Sequence, residues 1–568
     1  MLSEDPVCVA EGAICYNTVM HEKRKTLLFA AVAFLLTAAL YLPTVRFSFI
    51  PLDDFEYVVR NPHAHKGLTW DNVKWALTAV KYDGACEWHP LAWLSEMFDI
   101  SVSGATGLTE REWESCRNSA SVAMHLHNLL LHAAIASLVF LLLLRLSRHP
   151  AVRRGDGAAV DPVWLLVLTL FWSLHPLRSE VVCWAAERKE LTCTFFMLLT
   201  LLAYFRGRHV LAFALCCLAM MAKPMAVTLP VVLLAWDWVY GGKIRFLRTL
   251  PFFGLSAATC LLTVCSQEEA LDNGCGMPLA ERLTTIFGAP VEYVFQTFWP
   301  TNLSIYYWLV PGIDWSIFAP GVVLAAGMLA LCVWWLVRRS REPAWRNSPA
   351  DVGVFAISWC YVCLMPMLLL GVEQHWDRYT YWSGIGFVAC LAMLLSSCGH
   401  AWRQAAVGWV ERVDGRSYDW EVWRRNVLYA AVAVLAVLTI ATHRRIAVWS
   451  QPKAFMQDAV LKSWDGELVN VFTGWILREN PSNLDEAEYW LRECATRNPG
   501  IDANFYLAWF LFKMRGIVVS TFDGAESISE PEIILKQILA NKPDHKKAKA
   551  LMKELQECKA KARDKERK

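Results

Sequence analysis

Charge is scarce in this chain of 568 residues: Asp, Glu, Lys and Arg make up 19% of it, below the roughly 25% of soluble domains. With 55% hydrophobic residues, that shortfall excludes a wholly water-exposed fold. No stretch fits GxxxxGK[ST] or GxGxxG, so a soluble nucleotide donor gets no support. No basic patch interleaved with aromatics occurs, and the net charge of +2 points to no polyanion, so no nucleic-acid partner is expected. The 18 cysteines contain no pair of CxxC motifs at metal-site spacing. Cys360 and Cys363 form one CxxC inside an apolar run, where a small buried hydrophobe is the ordinary role. No cleavable leader is expected either. Residues 1–25 are polar, end in HEKRK, and lead into a run too long for a signal peptide.

What is abundant is apolar and aromatic: 28 Trp and 27 Phe, largely within long runs. Runs near the length of a bilayer crossing fall at 26–46, 122–146, 161–175, 190–205, 209–222, 225–240, 249–265, 317–337, 351–371, 380–397 and 426–442. Segment 283–299 reads as an interfacial helix or a twelfth crossing. Basic loops follow the second, fourth, sixth and eighth runs and precede the first and last. All fall on one side if eleven runs cross, which predicts a cytoplasmic N-terminus and a C-terminus outside. The expected fold class is therefore all-α: a polytopic membrane bundle over 26–445 with an outer loop at 47–121, preceded by a cytoplasmic segment, 1–25.

Residues 446–568 differ. They are polar, helical in pattern and carry no spanning run. NVFTGWILREN (470–480) matches NFYLAWFLFKM (504–514) at an offset of 34, placing Trp475 on Trp509 and Phe472 on Tyr506. That period is the tetratricopeptide signature, here about two units with an insert at 516–530. The spacing predicts a short, degenerate TPR-like helical domain outside.

This topology puts every motif with chemistry on the face opposite the basic loops. Asp53, Asp54 and Glu56 follow the first run. His89 lies in EWHPLAWLSEMFD, and His175, Glu180, Glu187, Arg188 and Lys189 lie in HPLRSEVVCWAAERKE. Lys223 precedes Pro224, and Asp377, Arg378 and Tyr379 lie in EQHWDRYTY. Ionisable groups beside hydrocarbon are costly and mark function. Two carboxylates suit a general base and its orienting neighbour. Arg188, Lys189, Lys223 and Arg378 suit an anion such as phosphate or pyrophosphate. Apolar spans beside them offer a lipid-accessible groove. The combination suits transfer of a group from a lipid-linked phosphate carrier.

Plainer roles stand beside these. Asp53-Asp54 also suits a solvated turn, and Pro after His89 and His175 suits segment ends. Glu180 and Glu187 suit ion pairs with Arg178 and Arg188, and Arg378 one with Asp377. Lys223 suits snorkelling. Trp299, Tyr306, Tyr307 and Trp308 suit an aromatic belt. His125, Asn128 and His132 share a helix face at i, i+3 and i+7, a pattern of packing contacts. Cys86 with Cys116, and Cys265 with Cys275, share outer loops where an oxidising compartment permits disulfides.

Five motifs, PLDDFEYVVRNPHAHKGLTWDNVKWALT, WHPLAWLSEMFD, HPLRSEVVCWAAERKEL, MAKPMAVTLPVVLL and DRYTYWSGIGF, occur in this order. In that register the chain resembles bacterial membrane proteins with tetratricopeptide tails, related to the transmembrane and tetratricopeptide-repeat O-mannosyltransferases of the GT-C glycosyltransferase class. The likeness covers about 45–450 and, more weakly, the repeats. It implies a donor sugar on a polyprenyl phosphate and transfer to a hydroxyl of a protein or glycan on the periplasmic or lumenal face. It also implies residence in a bacterial inner membrane, or in the endoplasmic reticulum of a eukaryote. The resemblance carries the base role to Asp53 or Asp54, with Asp53 preferred, and carrier-phosphate contacts to Arg188, Lys189 and Arg378. The short tail departs from relatives with many repeats, which weakens acceptor recognition through it. A divalent metal at the paired acids stays open. So does an oligosaccharide transferase or ligase using lipid pyrophosphate. A lipid-carrier transporter predicts midplane charges and duplicated spans, and a repeat scaffold predicts a long regular array; the sequence has neither.

Overall fold

The computed structural model describes residues 6–50, 52–80, 88–106, 110–149, 160–239, 245–266, 278–305, 307, 312–341, 349–365, 376–396, 420–517, 520–522, 525–527 and 529–566. The chain divides into two compact units. One comprises residues 1–303 and 310–450; the other comprises 304–309 and 451–568.

The first unit is helical throughout its described residues. Its helices are α1 (Pro6–Tyr41), α2 (Trp70–Thr78), α3 (Pro90–Ser103), α4 (Glu110–Ser147), α5 (Pro162–Ser173), α6 (Ser179–Cys183), α7 (Arg188–Phe205) and α8 (His209–Ala222). There follow α9 (Leu229–Val239), α10 (Phe246–Ser266), α11 (Leu279–Phe298), α12 (Trp315–Arg341) and α13 (Pro349–Cys360). Two more complete it, α14 (Asp377–Ser396) and α15 (Trp420–Trp449). Among the described residues, six helices are long and apolar enough to cross a membrane: Met20–Arg46, Ser119–Ser147, Phe246–Ser266, Trp315–Arg341, Asp377–Ser396 and Val422–Trp449. A seventh crossing results if the bent pair Pro162–Ser173 and Pro176–Cys183 counts as one. The chain is an integral membrane protein. Of the remaining expected runs, α8 and α9 are too short to pass that test, α7 opens on Arg188-Lys189-Glu190, and residues 366–371 of the run 351–371 lie outside the described residues. Segment 283–299 lies within α11.

Packing explains why these helices hold. Buried Val139, Phe140, Leu143, Leu198, Leu201 and Trp382 belong to one continuous apolar core. A Cβ on Gly321 would lie 2.0 Å from the Phe287 carbonyl oxygen, so α12 meets the α11 backbone directly. The loop after α1 is tied down locally. The Thr69 side chain caps α2. Gly67 takes a left-handed φ of +65 and leaves no room for a Cβ against Ser101 of α3. Ser101 Oγ in turn accepts the Leu68 N–H at 2.8 Å. Pro90 opens α3 and Gly104, at φ 74, closes it.

The second unit contains α16 (Pro452–Ser463), α17 (Gly466–Glu479), α18 (Leu484–Arg497), α19 (Ile501–Lys513), α20 (Glu530–Asn541) and α21 (Lys546–Glu566), with a short antiparallel ladder pairing Ser520–Phe522 with Ala525–Ser527. Consecutive helices pack on one another from α16 to α21, around buried Phe472, Leu491, Leu511 and Leu535. Gly466 lets the start of α17 approach the backbone of Ala503 on α19. Of the two aligned pairs, Phe472 is buried while Trp509 is exposed.

Candidate active site

The candidate residues gather where the loop after α1 meets the starts of α7 and α14 and the turn after α8. The adjacent acids, equivalent in sequence, are not equivalent here. Asp54 is 1% exposed. Its two carboxylate oxygens accept the Ile50 N–H at 3.0 Å and the Ala186 N–H at 2.8 Å. It therefore clamps the loop after α1 to the turn that carries Glu187. Burial pushes its carboxyl up to about 7, although both backbone N–H groups favour the charged form. Asp53 turns the other way: its side chain is 38% exposed, with Oδ2 3.2 Å from Lys189 Nζ. Of the two, Asp53 is the one that combines access to solvent with a cation.

Glu187, fully buried, is the hub of the cations. Its carboxylate lies 3.9 Å from Lys189 Nζ, 3.4 Å from Lys223 Nζ and 3.4 Å from Arg378 Nε. Each cation also has an outer acid: Asp53 for Lys189, Glu190 for Lys223 at 2.9 Å, and Glu180 for Arg378 at 2.8 Å. Aromatic faces support the cations. Lys189 sits 4.8 Å over Tyr57, and Arg378 sits 3.7 Å over Trp376 with Trp184 and Tyr379 further off. Arg378 reaches both Glu180 and Glu187 across the site.

Arg188 is placed differently from the other basic candidates. It is fully buried and its donors are engaged. They reach Asp99 Oδ2 at 2.6 Å, Ser95 Oγ at 2.8 Å, the Met124 carbonyl at 2.6 Å and the Asn128 side-chain oxygen. Arg188 braces α3, α4 and α7 together beneath the hub. Asn128 completes the brace by donating to the Trp184 carbonyl, and His132 links the Tyr381 hydroxyl to the Ser173 carbonyl. Of the sequence candidates, His175 caps the turn after α5: its Nδ1 accepts the Leu177 N–H, so its Nε2 donates to the Thr297 carbonyl. His89 packs against Tyr57 and Trp93. Glu56 pairs with Arg60 on an open rim, away from the hub. Cys86, Cys275 and the Cys116 side chain lie outside the described residues, as do Tyr306 and Trp308.

Two residues, Glu190 and Glu96, were not singled out by sequence. Glu190 completes the Lys223 pair. Arg178, expected beside Glu180, instead donates to the Thr380 carbonyl and hydroxyl. Glu96 lies on α3 one and two turns beyond Trp93 and His89. It is buried with one oxygen lacking a hydrogen bond among the described residues, and burial pushes its carboxyl up to about 8. An acid inside the apolar stretch PLAWLSEMF was the available signal. Among the described residues no group of three His, Cys, Asp or Glu is arranged to hold a metal ion.

An apolar cleft of about 270 Å³ adjoins this region, lined by Phe171, Trp172, Tyr293, Leu364, Phe387 and Val388, with His175, Arg178 and Thr380 as polar members. The Trp376 carbonyl accepts the Tyr293 hydroxyl at 3.0 Å, and Arg178 holds Thr380. The wall of the cleft is thereby joined to the 376–380 segment that carries Arg378.

The fold and site together define a helical integral membrane protein with a buried charge network beside an apolar cleft. The chain is 24% identical over 375 residues to protein O-mannosyl-transferase TMTC4 of Mus musculus, an alignment covering 59% of this chain and 47% of that protein. It thus spans about half the length of the curated relative it matches. No family model matches the chain, and no solved structure matches it.

Proposed function

We propose that this protein is a glycosyltransferase of the GT-C type that moves a sugar from a polyprenyl-phosphate carrier to a hydroxyl of a protein or glycan. Support comes from the distant likeness to an O-mannosyl-transferase. The single observation that carries the chemistry is the pairing of a solvent-reached acid, Asp53, with a buried set of three cations around Glu187. The prenyl tail occupies the apolar cleft, and the carrier phosphate meets Lys189, Lys223 and Arg378. Arg188 braces the site from behind.

In the transfer, the acceptor oxygen attacks the anomeric carbon as Asp53 takes the hydroxyl proton. The bond from that carbon to the phosphate oxygen breaks, and the electron pair leaves with the phosphate. Cations in a site with little water stabilise that charge far better than they would in bulk. One displacement inverts the anomeric centre. Asp54 positions the loop that carries Asp53. With eleven crossings, the site and the TPR-like unit face the periplasm, or the lumen in a eukaryote, and the second unit is a candidate contact for the acceptor. Purification in native lipid tests the reading: a polyprenyl phosphate, with or without its sugar, copurifies by mass spectrometry. Its absence, together with unchanged exported glycans in cells lacking the gene, overturns the proposal.

A further inference from the structure

The far end of α7 carries a second concentration of charge, here of one sign. α7 opens on Arg188 in the brace and closes on Phe205, 18 residues on, so about 27 Å of helix separates this end from the candidate site. Arg206 and Arg208 follow in the turn to α8, while Arg245 and Arg248 border the first turn of α10. Ring contacts bring the two pairs to one corner. Phe252, one turn along α10 from Arg248, packs on Tyr204 of α7 at 6.0 Å and on Phe213 of α8 at 5.5 Å. Tyr204 meets His209 at 4.9 Å, and the charges of Arg245 and Arg248 act on both.

The tendency of basic residues to collect at one membrane end accounts for their presence. It does not account for their partners. At the same end Arg148 pairs with Glu22 at 2.9 Å, and Arg145 donates to the Phe205 carbonyl. Arg206, Arg208, Arg245 and Arg248 form no ion pair or side-chain hydrogen bond with another described residue. An acid shares the corner, Asp237, but it accepts the Tyr204 hydroxyl at 2.6 Å, and its single charge is outweighed by four guanidinium groups. Apolar side chains stand beside them in the open: Val210 and Leu247 are more than four-fifths exposed, Phe246 and Leu250 about half. Unpaired cations bordering uncovered apolar surface match a ligand with an anionic head and an apolar body. A soluble anion leaves the apolar half uncovered.

We propose that this corner binds an acidic glycerophospholipid, its phosphodiester head held by Arg206, Arg208, Arg245 and Arg248 and its acyl chains lying along Val210, Leu247 and Leu250. The lipid joins the α7–α8 turn to the start of α10. This site is separate from the candidate active site and does not rest on the glycosyltransferase reading.

The test titrates the full chain in mild detergent with phosphatidylglycerol or phosphatidylcholine of matched acyl chains, and counts bound lipid by native mass spectrometry. The wild type holds one phosphatidylglycerol about tenfold or more tighter than phosphatidylcholine. The double variant Arg245→Gln, Arg248→Gln loses most of that preference. Arg148→Gln, at the same end but drawn from an existing ion pair, keeps it. Equal affinity of the wild type for the two lipids overturns the proposal. So does an equal loss in Arg148→Gln, which means a diffuse field and no site. Competition by deacylated glycerophosphoglycerol as strong as by the intact lipid means a soluble-anion site and overturns the lipid assignment. If the double variant does not fold, Arg208→Gln decides: a reduced preference supports the site, and an unchanged one overturns it.

Discussion

The two units use the same kind of ion pair to opposite ends. In the second unit Arg492 meets Glu530 with both oxygens engaged, yet each side chain is more than two-fifths exposed. Arg515 meets the largely covered Glu488 and an Asp485 whose side chain is 95% exposed. Such pairs tune a surface and contribute about 0–1 kcal/mol. In the membrane unit the partners are sealed. Arg188 and Glu187 have no exposure at all, and removing one member leaves the other charged in a medium that solvates it poorly. The lesson is that burial, and not the count of ion pairs, separates a surface charge from a working one.

Several substitutions break or sharpen that contrast. The largest effect is expected for Arg188→Ala, which strands Asp99 and opens the joint between α3, α4 and α7. It should lower stability by about 3–5 kcal/mol, read as a lost or strongly shifted unfolding transition in tryptophan fluorescence. Glu96→Gln comes next and has the opposite sign. An acid with a raised pKa keeps its proton in the folded chain after the unfolded chain has lost it. Stability therefore falls as pH rises from roughly 4, the unfolded value, to about 7 for Asp54 and about 8 for Glu96. Gln at 96 removes its share of that loss. The variant should be more stable than wild type by on the order of a few kcal/mol above pH 8 and indistinguishable near pH 4. Equal pH profiles in thermal melts would refute this. The smallest effect belongs to Arg492→Ala in the second unit. It should cost less than about 1 kcal/mol and fade with added salt; a cost as large as that of Arg188 would erase the contrast between the units.

Much of this was legible in sequence. Apolar run length marked the long helices, because crossing a bilayer demands it. The short motifs that converge on the site were visible as charge placed against hydrocarbon. What sequence could not resolve was direction. Asp53 and Asp54 are neighbours, and only the folded loop shows that one turns inward to two backbone N–H groups while the other faces Lys189. Arg188 and Lys189 divide in the same way, since successive positions on α7 point to different sides. The short helices α8 and α9 fall below the length of a full crossing, although their composition matches that of the long ones. Glu96 escaped notice because its charge sits inside an apolar helix that otherwise looks like plain packing.

The central claim is that Asp53, and not its neighbour, takes the acceptor proton beside a lipid-bound phosphate. It is tested most directly by reconstituting the full chain in lipid with a polyprenyl-phosphate-linked sugar and a hydroxyl acceptor, and comparing wild type with Asp53→Asn. The account predicts transfer by the wild type and a loss of about 10²–10⁴-fold in Asp53→Asn, with folding and donor retention unchanged. Undiminished transfer by Asp53→Asn would contradict it.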